Sequence, residues 1–174
     1  MTIHETNWKN KKLENHYKHL HKFYNDYLFN LRFGSSYSSK ITLDVLKKNP
    51  NFNILDVGIG NGNLYRLLKI NKINNNYLGA DISENYVNLS KKLFSKNNFV
   101  LTDEKTSLNL ESKYDIVYSR NVALHQTNPY SFINNLIEKT KFILIIELRT
   151  RDIGKTNLDV NNSCQLCDDV WVPY

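Results

Sequence analysis

Apolar positions along this chain repeat with two different periods. Between about residues 9 and 31, Leu13, Tyr17, Leu20, Tyr24, Leu28 and Leu31 recur every three or four positions, the spacing of one helical face. Gly34 ends that helix. The serines of "FGSSYSSK" supply start chemistry for a second helix, "ITLDVLKK", which Asn49 and Pro50 stop. After residue 50 the pattern changes, and short apolar runs alternate with amphipathic ones. "FNILDV" reads as a buried strand, and the helix that begins near Asn61 carries Leu64, Leu67 and Leu68 on one face. "YLGAD" is a second strand, after which Ser83 is placed to cap a helix whose apolar face is Tyr86, Val87, Leu93 and Phe94. "NFVLTD" and "YDIVYS" read as a third and a fourth strand. Asn128 and Pro129 open another helix, with proline at the first position, where its missing N–H costs nothing. "KFILIIEL", apolar through most of its length, has the character of a central parallel strand.

Repeated strand-helix units imply right-handed crossovers and a mostly parallel sheet with helices on both faces. The predicted fold class is therefore α/β, doubly wound, behind a helical leader. At 174 residues a single domain is expected. It divides into the leader (1–50), a core of strand-helix units (51–150), to which the ligand-binding motifs below belong, and a short C-terminal extension (151–174), of which only "VWVPY" looks like a strand.

Charge changes this picture little. The formal net charge is +6, which on its own invites a nucleic-acid partner. Lysine far outnumbers arginine, however, and arginine dominates planar recognition of bases and phosphates. Asparagine fills about one position in seven, well above ordinary usage, as AT-rich coding produces. Nucleic acid is accordingly not the expected partner. No run of eighteen apolar residues offers a membrane span, and the N-terminus lacks the apolar core of a secretion signal, so a cytoplasmic location is expected. Cys164 and Cys167 form a lone C-x-x-C without a second ligand pair, and reduced thiols are the simplest reading beside half a zinc site or a redox pair. His16, His19 and His21 stand among lysines that repel a cation, and read as a polar helix surface; no metal is expected.

The chemistry concentrates in "LDVGIGNGN". In an open parallel sheet, ligands sit beyond the carboxyl ends of the strands, where strand order reverses. Gly58, Gly60 and Gly62 allow a sharp turn and close approach to a ligand, and the following helix points unpaired N–H groups into the same space. Dinucleotide binding wants G-x-G-x-x-G, but Asn63 stands where the third glycine belongs. Asp56, two residues before the first glycine, repels a pyrophosphate and suits a ligand with positive charge, which favours an amino-acid-bearing nucleoside. Asp81 ends the second strand, where a carboxylate accepts hydrogen bonds from both hydroxyls of a ribose, and Asp103 ends the third, within reach of an adenine amino group.

"NILDVGIGNGNLYRLL", "YLGADIS", "NFVLTD" and "YDIVYSRNVALHQTNP", in this order, resemble the successive motifs of class I S-adenosylmethionine-dependent methyltransferases of small-molecule type, over roughly residues 35 to 150. The resemblance implies a Rossmann-like, doubly wound, mostly parallel sheet with the helical leader as an N-terminal lid, and S-adenosyl-L-methionine as cofactor. It implies that Asp56, Gly58, Gly60 and Gly62 hold the methionyl part, Asp81 and Ile82 the ribose side, and Asp103 the adenine edge. Ser119 belongs to the segment beneath the sulfonium, which faces a small-molecule acceptor. His125 is the candidate catalytic base, with a packing role as the alternative; Arg120 and Asn121 stand nearby to orient acceptor or cofactor. In the leader, Arg32 is placed to pair with the cofactor carboxylate and Tyr37 to line the pocket, again against simple packing.

The D/N/S-P-P-Y/F motif of base amino-methylating relatives is absent, "SRNV" standing in its place, which also argues against nucleic acid. Relatives usually add a sixth and a seventh strand, and only about twenty-five residues follow "FILIIEL", which implies a shortened end or a fragment. That leaves a catalytically silent cofactor-binding module supporting a partner as an alternative, and an NAD-dependent oxidoreductase as a more distant one. The acceptor atom and the oligomeric state are not encoded in these motifs.

Overall fold

A computed structural model describes residues 9–10, 25–95, 98–102, 112–126 and 128–148, and the backbone of 164–167 and 170–173. Most of the predicted leader helix, with His16, His19 and His21, lies outside the described residues, as does Asp103. What is described of the leader is a short helix α1 (Asp26–Phe29) that widens into a π-helical turn over Asn30–Gly34. Helix α2 (Tyr37–Lys48) begins four residues before "ITLDVLKK", because Ser36 caps it by accepting from the Ser39 N–H at 3.3 Å.

Five parallel strands follow: β1 (Ile54–Val57), β2 (Tyr77–Asp81), β3 (Phe99–Leu101), β4 (Tyr114–Arg120) and β5 (Thr140–Glu147). They are joined through α3 (Asn63–Ile70), α4 (Glu84–Phe94) and α5 (Pro129–Lys139), with a 3-10 turn over Ala123–His125 after β4. The spatial order is β3-β2-β1-β4-β5, so the direction of winding reverses between β1 and β4. Asn128 caps α5 as expected, its Oδ1 accepting from the Ser131 N–H at 3.0 Å. A separate antiparallel hairpin pairs β6 (Cys164–Cys167) with β7 (Val170–Pro173); the sequence pattern shows β7 but not β6.

Alternation along the strands divides the core into two layers. Ile54, Ile116, Tyr77 and Tyr118 pack with Phe29, Leu43, Leu46, Leu64 and Leu67 on one face of the sheet. Leu55, Val57 and Val117 pack with Ala123, Phe132 and Leu136 on the other. Burying each such side chain contributes about 1.5–3 kcal/mol, so these two layers are a large stabilising term beside the hydrogen-bonded ladders of the sheet. Alternation also assigns Asp56 to the first face, between Ile54 and the turn.

Candidate functional site

A cavity of about 430 Å³ opens at the carboxyl ends of β1, β2 and β4, at the winding reversal. Its floor is the turn from Val57 to Asn61. Gly58, Gly60 and Gly62 hold φ values of +79°, +51° and +75°, a region costly for residues with a β-carbon. Their surroundings differ. A β-carbon on Gly58 would come within 2.2 Å of Val122 Cγ2, and one on Gly60 would meet nothing within 4 Å. Gly62 does not line the cavity; its β-carbon would strike Phe94 Cε2 at 2.6 Å. It serves the close helix packing that dinucleotide motifs assign to their third glycine, one residue earlier here.

Asp81 is 8% exposed and fixed by the backbone on both sides. Its Oδ2 accepts from the Gly60 N–H at 2.9 Å and its Oδ1 from the Ser83 N–H at 2.8 Å. Burial still raises its carboxyl to about 6, against the pull of the hydrogen bonds from Ser83, Gly60 and Ile82. Ser83 thus donates its backbone N–H to the carboxylate, and its side chain makes no cap bond to α4, contrary to the sequence expectation.

Asp56, 2% exposed, accepts at 2.5 Å from the hydroxyl of Tyr77. Burial raises its carboxyl to about 7, the Tyr77 hydrogen bond opposing and the Asp81 charge adding to the rise. Sequence reasoning missed Tyr77. Its ring is held among Tyr65 and Phe99, with centroids 5.0 and 6.0 Å away. Gly79, the register partner of Asp56, leaves the space that the hydroxyl crosses: a β-carbon there would sit 3.0 Å from that oxygen. The signal was present as a tyrosine two residues before a glycine on the neighbouring strand.

Ile82 and His125 line the cavity, together with Arg120 and Asn121. Ser119 does not. Its hydroxyl donates to the Val57 carbonyl at 3.1 Å and it is 1% exposed, because alternation in β4 turns it to the face opposite Tyr118 and Arg120. Thr102, directly after β3, lines the cavity. From the leader it is Phe33 that reaches the cavity; Tyr37 is 82% exposed, and the Arg32 guanidinium lies over the Phe33 ring at 5.8 Å. The buried Oδ1 atoms of Asn63 and Asn121, two lining residues, have no hydrogen-bond partner. The walls therefore offer two carboxylates and two amide oxygens to a ligand rich in donors. Among the described residues no three His, Cys, Asp or Glu side chains gather as a metal site, and no helix is long and apolar enough to cross a membrane.

A family model described as a methyltransferase domain matches residues 55–141. Among solved structures, magnesium protoporphyrin IX methyltransferase from Synechocystis PCC 6803 with bound SAH superposes with a TM-score of 0.60 at 21% identity, over 80% of this chain and 68% of that one. The same enzyme with bound SAM gives 0.60 at 19% identity, over 82% and 72%. An S-adenosylmethionine-dependent methyltransferase from Clostridium acetobutylicum ATCC 824 gives 0.55 at 18% identity, over 77% of this chain and 56% of that one. The chain thus spans little more than half the length of the Clostridium enzyme. At these identities the likeness is one of fold. No curated protein matches the sequence.

Proposed function

The chain belongs to the methyltransferase-domain family, with the class I S-adenosylmethionine-dependent fold, and from that premise we propose that it methylates a small-molecule acceptor. The observation that carries this reading is the pair of buried carboxylates, Asp56 and Asp81, at the ends of adjacent strands and facing one cavity. Such a pair calls for a ligand with positive charge and hydroxyl donors. S-adenosylmethionine meets that demand, with an ammonium, a sulfonium, two ribose hydroxyls and an adenine amine. The residues fit it in two further ways: a β-carbon at Gly60 would meet no atom within 4 Å, and Asn63 and Asn121 hold unpartnered acceptors.

When bound, the cofactor supplies a methyl group already activated on sulfur. Asp81, oriented by the Gly60 and Ser83 N–H groups, takes the ribose hydroxyls, with Ile82 beside it. Asp56 would hold the cationic end, and Asp103 would take the adenine amine. The remaining task is alignment, and positioning supplies roughly 7 to 11 kcal/mol in well-oriented reactions. His125, on the 3-10 turn at the cavity wall, takes a proton from the acceptor where that group carries one, a smaller contribution of about a hundred- to ten-thousandfold. The apolar lining of Phe33, Leu64, Leu67 and Phe132 excludes water and suits a compact organic acceptor rather than a nucleic-acid strand.

The test is incubation with S-adenosylmethionine labelled in the methyl group and fractionated cell extract. Label is expected in the low-molecular-weight fraction. Label only in RNA or protein overturns the acceptor class, and cofactor binding with no transfer to any fraction favours a silent module.

A further inference from the structure

The residues of β5 have the composition of a strand covered on both sides, yet β5 closes the sheet. Phe142 to Ile146 are five apolar residues in a row, as central parallel strands have. In the order β3-β2-β1-β4-β5, no strand among the described residues pairs with its outer edge, and β6 and β7 pair with each other. Ile143, Leu144 and Ile145 are half-buried, whereas their register partners Ile116, Val117 and Tyr118 on β4 are buried. Phe142 is 67% exposed, and Leu148 is exposed as well. Edge strands are usually blunted by charge, proline or a bulge. β5 has one extra residue before Ile143, where its register slips against β4, and beyond it the apolar run holds neither charge nor proline.

Charge stands only at the two ends of the strand, and with opposite sign. Lys141 lies 3.3 Å from Asp115 and Glu147 3.0 Å from Arg120, both on β4. A strand with this pattern complements itself when reversed. Aligned antiparallel about Leu144, Lys141 meets Glu147 of a second copy, Phe142 meets Ile146 and Ile143 meets Ile145; aligned parallel and in register, each charge meets its like. The backbone permits the antiparallel alignment. Glu147 turns its carbonyl toward the end of β4, where it accepts the Asn121 N–H at 2.8 Å. Peptide groups alternate sides along a strand, so Leu144, three residues earlier, turns its N–H and C=O outward. Two copies of Leu144 then exchange both hydrogen bonds, as directly opposed residues of an antiparallel pair do.

We propose that the outer edge of β5 pairs antiparallel with the same edge of a second copy of this chain, joining the two sheets into one. Self-pairing is isologous and closes after two copies, so it covers the apolar edge without leaving a template for further growth there. The opposite charges at the strand ends set its direction, and by symmetry each of these cross-strand pairs occurs twice.

Sedimentation equilibrium of the full chain at micromolar concentrations tests the pairing. Wild type is expected at twice the 20.4 kDa chain mass. Phe142→Lys, which sets a charge in the exposed apolar edge, should raise the dissociation constant at least about tenfold and leave the circular dichroism spectrum unchanged. Wild type that stays at the mass of one chain, or climbs past two, overturns the proposal, as does a variant that dimerises as tightly as wild type. Cysteine substitutions in a Cys164→Ser, Cys167→Ser background read the register, and carry the test alone should Phe142→Lys not fold. Opposed residues of a hydrogen-bonded pair have Cα atoms about 5.5 Å apart, within reach of a disulfide. Leu144→Cys should therefore give a reducible two-chain band on oxidation, and Ile146→Cys, whose two copies lie roughly 14 Å apart, should not. Any other pattern of bands overturns the pairing.

Discussion

Replacing Asp56 by asparagine should stabilise the ligand-free protein while weakening cofactor binding. Burial lifts the Asp56 carboxyl from 3.8 to about 7. A raised carboxyl contributes stability that is present below the unfolded value and lost as pH rises. Below pH 3.8 folded and unfolded chains both hold the proton. Between 3.8 and about 7 only the unfolded chain releases it, so stability falls with pH, and above 7 both have released it. At about 1.36 kcal/mol per unit, the full penalty is roughly 4 kcal/mol, of which about 3 kcal/mol develops between pH 5 and pH 8. Asparagine keeps the size and an acceptor for the Tyr77 hydroxyl, but never ionises. Asp81, raised to about 6, imposes its own slope on both proteins. Guanidinium denaturation at pH 5 and pH 8 should therefore show Asp56→Asn more stable than wild type at pH 8, with the gap narrowing by about 3 kcal/mol at pH 5. A gap independent of pH would refute the buried-charge argument. A variant that gained stability and kept full cofactor affinity would separate Asp56 from the site.

The glycines give a paired prediction. Gly62→Ala combines a φ of +75° with a β-carbon 2.6 Å from Phe94 Cε2, whereas Gly60→Ala, at φ +51°, meets no neighbour within 4 Å. Denaturant midpoints should show a loss of about 2–5 kcal/mol for the first and about 1–2 kcal/mol for the second, and equal losses contradict the packing role of Gly62. Ser119→Ala removes the hydroxyl bonded to the Val57 carbonyl and should cost roughly 1 kcal/mol of stability with no change in calorimetric cofactor affinity. His125→Ala should lower kcat by about a hundredfold or more, with cofactor affinity unchanged. A loss confined to the melting temperature would make His125 a packing residue.

The sequence made the strand-helix alternation legible because apolar periodicity is local, and the five parallel strands lie where the runs of apolar residues stand. The register of Asp56 against the glycines separated an amino-acid-bearing nucleoside from a dinucleotide without any tertiary information. What was not legible depends on pairing between strands. Tyr77 reaches Asp56 only because Gly79 is opposite that aspartate, and the aromatic cluster around it is drawn from α3, α4, β2 and β3. Ser119 was misplaced by its motif position, although alternation from Tyr118 to Arg120 already turned it away. Phe33, within the π-helical turn over Asn30–Gly34, lines the cavity where Tyr37, at the exposed start of α2, does not, and that widening has no periodicity signal.

The central claim, that the cavity floored by the glycine turn binds S-adenosylmethionine, is tested most directly by titrating S-adenosylhomocysteine and NAD separately into the purified chain at pH 8. Saturable one-to-one binding of S-adenosylhomocysteine, lost in Asp81→Ala, with no heat from NAD, is the predicted result. Binding of NAD alone, or of neither, would contradict it.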